Sequence, residues 1–118
     1  MREVIGGLLA LLVLSLGAAT ADEAWKVLAG AEATKALSGH ILAYANGATQ
    51  TFSPSGDTGY DSGHLQPGKW RIDGDKYCSV WPPSDQWACY KLEASADGKS
   101  LRFTAGDGST TEGQVVGN

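Results

Sequence analysis

Residues 68–93 read GKWRIDGDKYCSVWPPSDQWACYKLE, and this stretch decides the predicted fold. At its start Trp70 and Ile72 alternate with charged neighbours, which is the two-residue period of a β-strand that buries one face. Asp73-Gly74 then provides a tight turn, because Asp and Gly tolerate the positive φ that hairpin turns require. The stretch therefore predicts three antiparallel strands, over residues 69–73, 75–81 and 87–94.

The same turn chemistry recurs on both sides of this stretch. Asn46-Gly47, Asp97-Gly98 and Asp107-Gly108 are hairpin signals, and Ser55-Gly56 and Pro67-Gly68 are two further breaks. Between them we expect strands near 40–45, 48–53, 57–62, 100–104 and 110–116. The fold class is thus mainly β, an antiparallel meander of seven or eight short strands. Because open sheet edges invite aggregation, the meander should curl into a small barrel or fold over as a sandwich.

Two segments precede the strands. Residues 1–21 read as a signal peptide, with Arg2 near the amino terminus, an apolar run over 4–16 and the small-residue site Ala19-Thr20-Ala21. An uncleaved anchor is the alternative, but the run is short for a membrane span, which needs about 20 residues. Cleavage would leave one domain, residues 22–118, free of the membrane in the bacterial periplasm or secreted.

The start of that domain is the one helix candidate. Residues 22–37 read DEAWKVLAGAEATKAL and contain good helix formers, with Asp22 as a possible N-cap. Gly30 would weaken the middle of this helix, and Ser38-Gly39 would end it. We expect its apolar side to cover one end or edge of the sheet.

Cys78 and Cys89 are the only two cysteines. In an exported domain an even number of cysteines indicates a disulfide, and the absence of a CxxC motif or a nearby His argues against zinc. The bond would clamp the strands that flank the loop at residues 82–86. Reduction should therefore cost stability.

That clamped loop is the predicted binding site. Its predicted contact residues are Trp81, Pro82, Pro83, Trp87 and Tyr90. Prolines stiffen the backbone, and rigid aromatic faces can bind a protein or glycan at little entropic cost. The alternative is that the tryptophans fill the core of a small domain, which is the favoured interpretation for Trp70.

Other site types are weakly supported. A net charge of −4 with scattered Lys and Arg argues against nucleic acid as a partner and against an anionic membrane surface. Asp57, Asp61 and His64 match no calcium or zinc spacing. No nucleophile elbow, phosphate-binding loop or dinucleotide fingerprint is present, so we predict no catalytic residue, no metal and no cofactor.

A pattern of Gly, aromatic and Cys residues runs through the predicted domain. Its members are Leu37-Ser38-Gly39, Tyr44, Gly47, Phe52, Gly56, Gly68, Trp70, Cys78, Trp81, Cys89 and Tyr90. This pattern resembles that of small exported proteins of alphaproteobacteria that carry a domain of unknown function. The resemblance implies a periplasmic, disulfide-bonded β domain. It implies no activity, ligand or catalytic residue.

The sequence favours a non-catalytic binding or interaction domain with an unidentified partner. One alternative is an inhibitor of a periplasmic hydrolase, whose stiff Pro-Pro loop would plug the active-site cleft. A less favoured alternative is a carrier of a small apolar ligand. A carrier needs an enclosed apolar pocket of at least about 300 Å³, and large aromatic side chains inside so short a chain should leave little void.

Overall fold

The computed structural model describes residues 24–118, so the predicted signal peptide lies outside the described residues. One helix and nine strands follow in order. They are β1 (Trp25–Val27), α1 (Gly30–Leu37), β2 (Ile41–Tyr44), β3 (Thr49–Phe52), β4 (Asp57–Asp61), β5 (Leu65–Asp73), β6 (Lys76–Val80), β7 (Ala88–Ser95), β8 (Ser100–Thr104) and β9 (Thr110–Gly117).

Strands β2 to β9 form a closed antiparallel barrel of eight strands. Each strand pairs with the next along the chain, and β9 returns to pair with β2 through Gln114 and Ala43. The chain from Asp61 to Leu65 is a plain hairpin, with those two residues opposite each other, so no crossover interrupts the meander. The predicted mainly β class is confirmed, and of the two architectures the barrel is the one that forms. Closure removes the open edges that would otherwise invite aggregation.

The helix is shorter than the sequence predicted. It begins at Gly30, and Trp25–Val27 forms instead β1, an extra strand that pairs with Glu93 to Ser95 of β7. Gly30 has a φ of +55°, a backbone conformation that a preceding helical turn could not continue through. Gly30 therefore starts the helix rather than weakening its middle, and pairing with β7 overrides the helix propensity of the residues before it.

A second correction concerns Pro67-Gly68, which the sequence marked as a break. Both residues lie inside β5, which begins at Leu65 and is longer than expected. Strand β6 ends at Val80, opposite Lys69, so the β6 side of β5 is already unpaired at Pro67. A missing N–H is tolerated at such an edge.

Helix α1 closes one end of the barrel. The Gly39 N–H donates to the Phe52 carbonyl at 2.7 Å, and the Gly30 N–H donates to the Gly74 carbonyl at 2.8 Å. These bonds hold the helix against the end of β3 and the turn between β5 and β6. Its buried side chains join an apolar core made of Leu28, Ala33, Leu37, Leu42, Phe52, Trp70, Tyr77, Leu92, Leu101 and Phe103. Trp70 is thus a core residue.

The two cysteines are bonded, as predicted. Cys78 on β6 and Cys89 on β7 are direct cross-strand partners, with their Cα atoms 4.0 Å apart. Such a bond is consistent with a location outside the cytoplasm.

Among residues 24–118 no helix has both the length and the apolar character needed to cross a membrane.

Candidate functional site: a cavity in the open end of the barrel

The end of the barrel opposite α1 is open. The connections at that end are residues 45–48, 62–64, 81–87 and 105–109, and between them lies a cavity of about 650 Å³. An eight-stranded barrel has an interior that is either filled by side chains or wide enough for one small ligand. Here the half near α1 is packed with apolar side chains, apart from a smaller pocket of about 260 Å³ between α1 and strands β7 to β9, and the other half is hollow.

The cavity wall is aromatic. All four tyrosines of the chain line it, together with Trp81 and Phe103. The other lining residues are Ala45, Asn46, Gln50, Gln66, Ser79, Thr110, Thr111 and Glu112. The rings contact one another: Tyr77 and Phe103 have centroids 5.0 Å apart, and Tyr44 and Tyr60 have centroids 6.0 Å apart. Because the rings pack against one another the wall is stiff, and it presents apolar ring faces together with many polar atoms.

Gln50 organises the polar atoms of the inner wall. It is only 6% exposed. Its Oε1 accepts a bond from the Tyr44 hydroxyl at 2.6 Å, and its Nε2 donates to Thr58 Oγ1 at 3.0 Å and to Tyr77 Oη at 3.2 Å. Thr58 in turn donates to the backbone carbonyl of Thr51 at 2.7 Å. A buried amide with all these partners satisfied rigidifies the surrounding side chains.

A smaller arrangement of the same kind lies at the rim. The Ala48 N–H donates to Asn46 Oδ1 at 2.9 Å, and Asn46 Nδ2 donates to the Tyr60 hydroxyl at 3.2 Å. The turn between β2 and β3 therefore positions the Tyr60 ring, which also meets Trp81 edge to face, with centroids 6.4 Å apart. The hydrogen bonds of Asn46 thus hold the side chains of the rim in place, as those of Gln50 hold the side chains of the inner wall.

The hydroxyls of Tyr44 and Tyr77 stay protonated over the whole physiological range. Burial raises the pKa of Tyr44 well above its usual value, and the neighbouring Tyr77 and Tyr60 phenols add to the effect. Burial also raises the pKa of Tyr77, although hydrogen bonds with the Ser79 and Gln50 side chains act in the opposite direction. These two neutral phenols can therefore donate as well as accept hydrogen bonds.

Trp81 covers one side of the cavity because the residue of β5 that its ring lies against is a glycine, Gly68. A Cβ atom added at Gly68 would lie 2.6 Å from Trp81 Cε3, so only glycine leaves room for the indole to lie against the strand. The indole N–H donates to Ser79 Oγ at 3.2 Å, which fixes the ring. The pair Gly68 and Trp81 thus forms a flat aromatic wall near the mouth.

The residues that the sequence marked for binding divide between two surfaces. Trp81 and Tyr90 line the cavity, whereas Pro82 and Pro83 are exposed in the loop at its rim. Trp87 lies on the outside of the barrel, with its ring centroid 4.1 Å from the guanidinium carbon of Arg71. The two-residue period explains the division: Trp81 lies four residues after the inward Tyr77, whereas Trp87 lies three residues before the inward Tyr90.

The expectation that bulky aromatic side chains would leave little void was wrong in volume, although the cavity is open at the mouth and not enclosed. The rings stand around the interior of the barrel instead of filling it. Sequence reasoning missed Tyr44, Gln50, Tyr60 and Tyr77 as lining residues. One signal could have found two of them, because Tyr44 and Tyr60 each lie two positions from a buried residue of the same strand and therefore share its inward face.

The three residues considered for a metal lie apart. Asp57 begins β4, at the helix end of the barrel, where it pairs with Lys69, and Asp61 ends the same strand at the mouth. Within residues 24–118 no three His, Cys, Asp or Glu side chains converge as metal ligands would.

No family model, curated protein or solved structure matches the chain.

Proposed function

We propose that this protein is an exported, non-catalytic binding domain that holds one small, predominantly apolar molecule in the open end of its barrel. The observation that carries the proposal is the cavity of about 650 Å³ lined by all four tyrosines. Ligand sites of drug-sized molecules typically measure about 300 to 1,000 Å³ and combine apolar walls with a few placed polar groups.

The distribution of side chains supports a site of this kind. A barrel selected only for stability would fill both halves with Leu, Phe and Trp, as the helix end does. Instead, the half near the mouth has a rigid wall around an open space, and that wall includes Gln50, Tyr77 and the Gly68–Trp81 pair. Because these groups are already held in place, a ligand would lose little free energy to ordering them.

Export is proposed on two grounds. Residues 1–21 have the pattern of a signal peptide, and the Cys78–Cys89 bond is of a type that persists in oxidising compartments.

The test is titration of the oxidised protein with Nile red, a neutral dye that fluoresces in apolar surroundings. We expect saturable binding of one dye per chain. Trp81→Ala should weaken it about tenfold, because loss of an aromatic contact worth about 1.5 kcal/mol changes a dissociation constant by that factor.

Trp87→Ala is the matched control, since it removes the same side chain from the other shoulder of the same loop but from the outside of the barrel. It should leave the dye affinity unchanged. Circular dichroism of both variants verifies the fold. An absence of saturable binding, or a loss of binding in Trp87→Ala alone, would contradict the proposal.

A second candidate function uses the outside of the same hairpin. Trp87 is 38% exposed and is stacked on Arg71, beside the exposed Pro82 and Pro83. These side chains would form a preorganised patch for a protein or glycan partner. Loss of partner capture in Trp87→Ala with unchanged dye binding would establish it as a separate site.

A further inference from the structure

The direction of each hydrogen bond around Gln50 follows from one backbone carbonyl. The Thr51 carbonyl can only accept a hydrogen bond, so the Thr58 hydroxyl must donate its single hydrogen to that carbonyl. Toward Gln50, Thr58 Oγ1 can therefore act only as an acceptor. The group of Gln50 that faces it must be the amide nitrogen, which donates. The same nitrogen faces Tyr77, whose oxygen must therefore act as an acceptor.

This order leaves the hydroxyl hydrogen of Tyr77 unused. A phenol has one hydrogen, and the bond with Gln50 does not consume it. Tyr44 differs, because its hydrogen is spent on Gln50 Oε1. Ser79 is the neighbouring hydroxyl on the cavity wall, and its oxygen accepts from the Trp81 indole at 3.2 Å. Its own hydrogen is left to donate to the Tyr77 oxygen, which agrees with the lowering effect of Ser79 on the pKa of Tyr77. Among residues 24–118 no side chain of the wall is therefore assigned the Tyr77 hydrogen.

Tyr60 repeats the arrangement nearer the rim. The Ala48 N–H can only donate, which fixes Asn46 Oδ1 toward it and Asn46 Nδ2 toward Tyr60. The Tyr60 oxygen is again an acceptor, and its hydrogen is again left over. Two side-chain amides, one oriented by a backbone N–H and the other by a backbone carbonyl through Thr58, thus leave two phenols of one cavity with a hydrogen that the amides do not accept.

The charge of the lining restricts the ligand further. Glu112 is the only charged residue in the lining of the described cavity. A carboxylate or phosphate ligand would be buried there without a cationic partner, at a large desolvation cost. A neutral acceptor such as a carbonyl oxygen has no such cost and would complete the bonds of the phenols.

We propose that the molecule held in this cavity is an uncharged planar ring system bearing a carbonyl-type oxygen, which accepts the free hydroxyl hydrogen of Tyr77 while its rings lie against Trp81. The inference rests on the proposed function and names the chemical class of its ligand. Tyr77 is the positioning donor on the inner wall, with Tyr60 available to a second acceptor nearer the mouth.

The experiment compares two tricyclic probes of nearly the same shape, fluorene and 9-fluorenone, by quenching of tryptophan fluorescence in the oxidised protein. We expect fluorenone to bind about five- to tenfold more tightly, the effect of one neutral hydrogen bond. Fluorene is the more apolar probe, so apolar burial alone gives the reverse order. Tyr77→Phe should reduce the preference to less than twofold.

Tyr44→Phe is the matched variant, because it deletes one hydroxyl from the same network whose hydrogen is already used. Whatever it does to each affinity, it should retain the ratio between the two probes. The infrared carbonyl stretch of bound fluorenone gives an independent readout. It should lie at lower frequency than in hexane, and Tyr77→Phe should return it toward the hexane value.

The outcomes separate the two proposals. If neither probe binds, the proposed function fails. If both bind with similar affinity and the carbonyl stretch matches that in hexane, the cavity binds small molecules but the assignment of the Tyr77 donor is overturned.

Discussion

The two ends of this barrel are built from the same eight strands and are filled in opposite ways. At the helix end the inward positions hold Leu42, Phe52, Trp70 and Leu92, all buried. Two residues from Leu42, Phe52 and Leu92, on the same strands but nearer the mouth, the inward positions hold Tyr44, Gln50 and Tyr90, which line a cavity. The difference separates tasks within one fold: the helix end supplies packing, and the mouth keeps oriented polar groups around an open space.

The separation has a physical basis. Packing stabilises most when no void remains, whereas a binding site must leave a void and hold its walls open. A barrel wall joins the two ends through continuous strands, so the packed end can hold the strand spacing at the open one. Changes at the helix end should therefore alter stability, and changes at the mouth should alter binding.

The largest effect is expected from Leu37→Ala. Leu37 on α1 is fully buried against the core. Its truncation should lower the free energy of unfolding by about 2–5 kcal/mol, the range for a buried Leu that leaves a cavity. Urea denaturation measures this change. Dye affinity of the folded variant should stay within twofold of the wild type.

Leu65→Ala is the matched change at the mouth, where Leu65 is 63% exposed. Its effect on stability should stay within about 0.5 kcal/mol. Equal losses from the two leucines would show that stability is not concentrated at the helix end.

Reduction of the Cys78–Cys89 bond is expected to have the next largest effect. The two residues are 11 apart in sequence, and opening a loop of that size costs about 3 kcal/mol in loop-closure entropy. The bond joins β6 and β7 just below the loop at residues 81–87, so the loss should be felt first at the mouth. Hydrogen exchange should show amides of that loop and the adjacent strand ends exchanging faster, while those of Leu42 and Phe52 change least. The reverse order would mean that the mouth does not depend on the disulfide.

The sequence predicted the strands well because their limits are set locally. Hairpin turns need residues that accept positive φ, and Gly47, Gly74, Gly98 and Gly108 all adopt it. The helix start was missed for the opposite reason. Trp25–Val27 becomes a strand only because β7 offers a free edge beyond the end of β6, and a partner so distant in sequence leaves no local signal.

The cavity could be predicted only in part. Alternation identifies which side chains point inward, so Trp81 and Trp87 could have been separated by their positions relative to Tyr77 and Tyr90. Alternation does not reveal how far the inward side chains fill a barrel. That depends on how eight strands close together, on where α1 inserts and on a glycine such as Gly68 lying opposite an indole.

Gly68→Ala is expected to have an intermediate effect and to act on the mouth alone. The new Cβ would lie within 3 Å of both the Trp81 ring and the Val80 carbonyl, so the indole must shift. We expect a loss of about 1–3 kcal/mol from overpacking, together with a change in Trp81 fluorescence and weaker dye binding. Gly106→Ala is the control, because a Cβ there meets nothing within 4 Å. Unchanged emission and dye affinity in Gly68→Ala would mean that Trp81 does not form the cavity wall.

The smallest effect is expected from one turn aspartate at each end of the barrel. The pKa of Asp97, in the turn at the helix end, lies below its usual 3.8 because it accepts the Lys99 N–H and the Ser95 hydroxyl. The pKa of Asp107, in a turn at the mouth, is lowered chiefly by the Ser109 hydroxyl and then by the Ser109 N–H. A carboxyl whose pKa is lower in the folded state stabilises the fold above its unfolded pKa, and this stability is lost as pH falls through the folded pKa.

Both groups are exposed, so each contribution should be smaller than any change described above. Asp97→Asn and Asp107→Asn should each lower the melting temperature slightly at pH 7 and flatten its decline below pH 4, by similar amounts at the two ends. Melting curves between pH 2 and pH 7 measure both slopes. If the melting temperatures of the two variants depend on pH in the same way, the turns at the two ends contribute equally to stability. The difference between the two ends would then lie only in the interior of the barrel. A much larger effect at one end would mean that the solvent-exposed turns also contribute to the difference between the packed end and the open one.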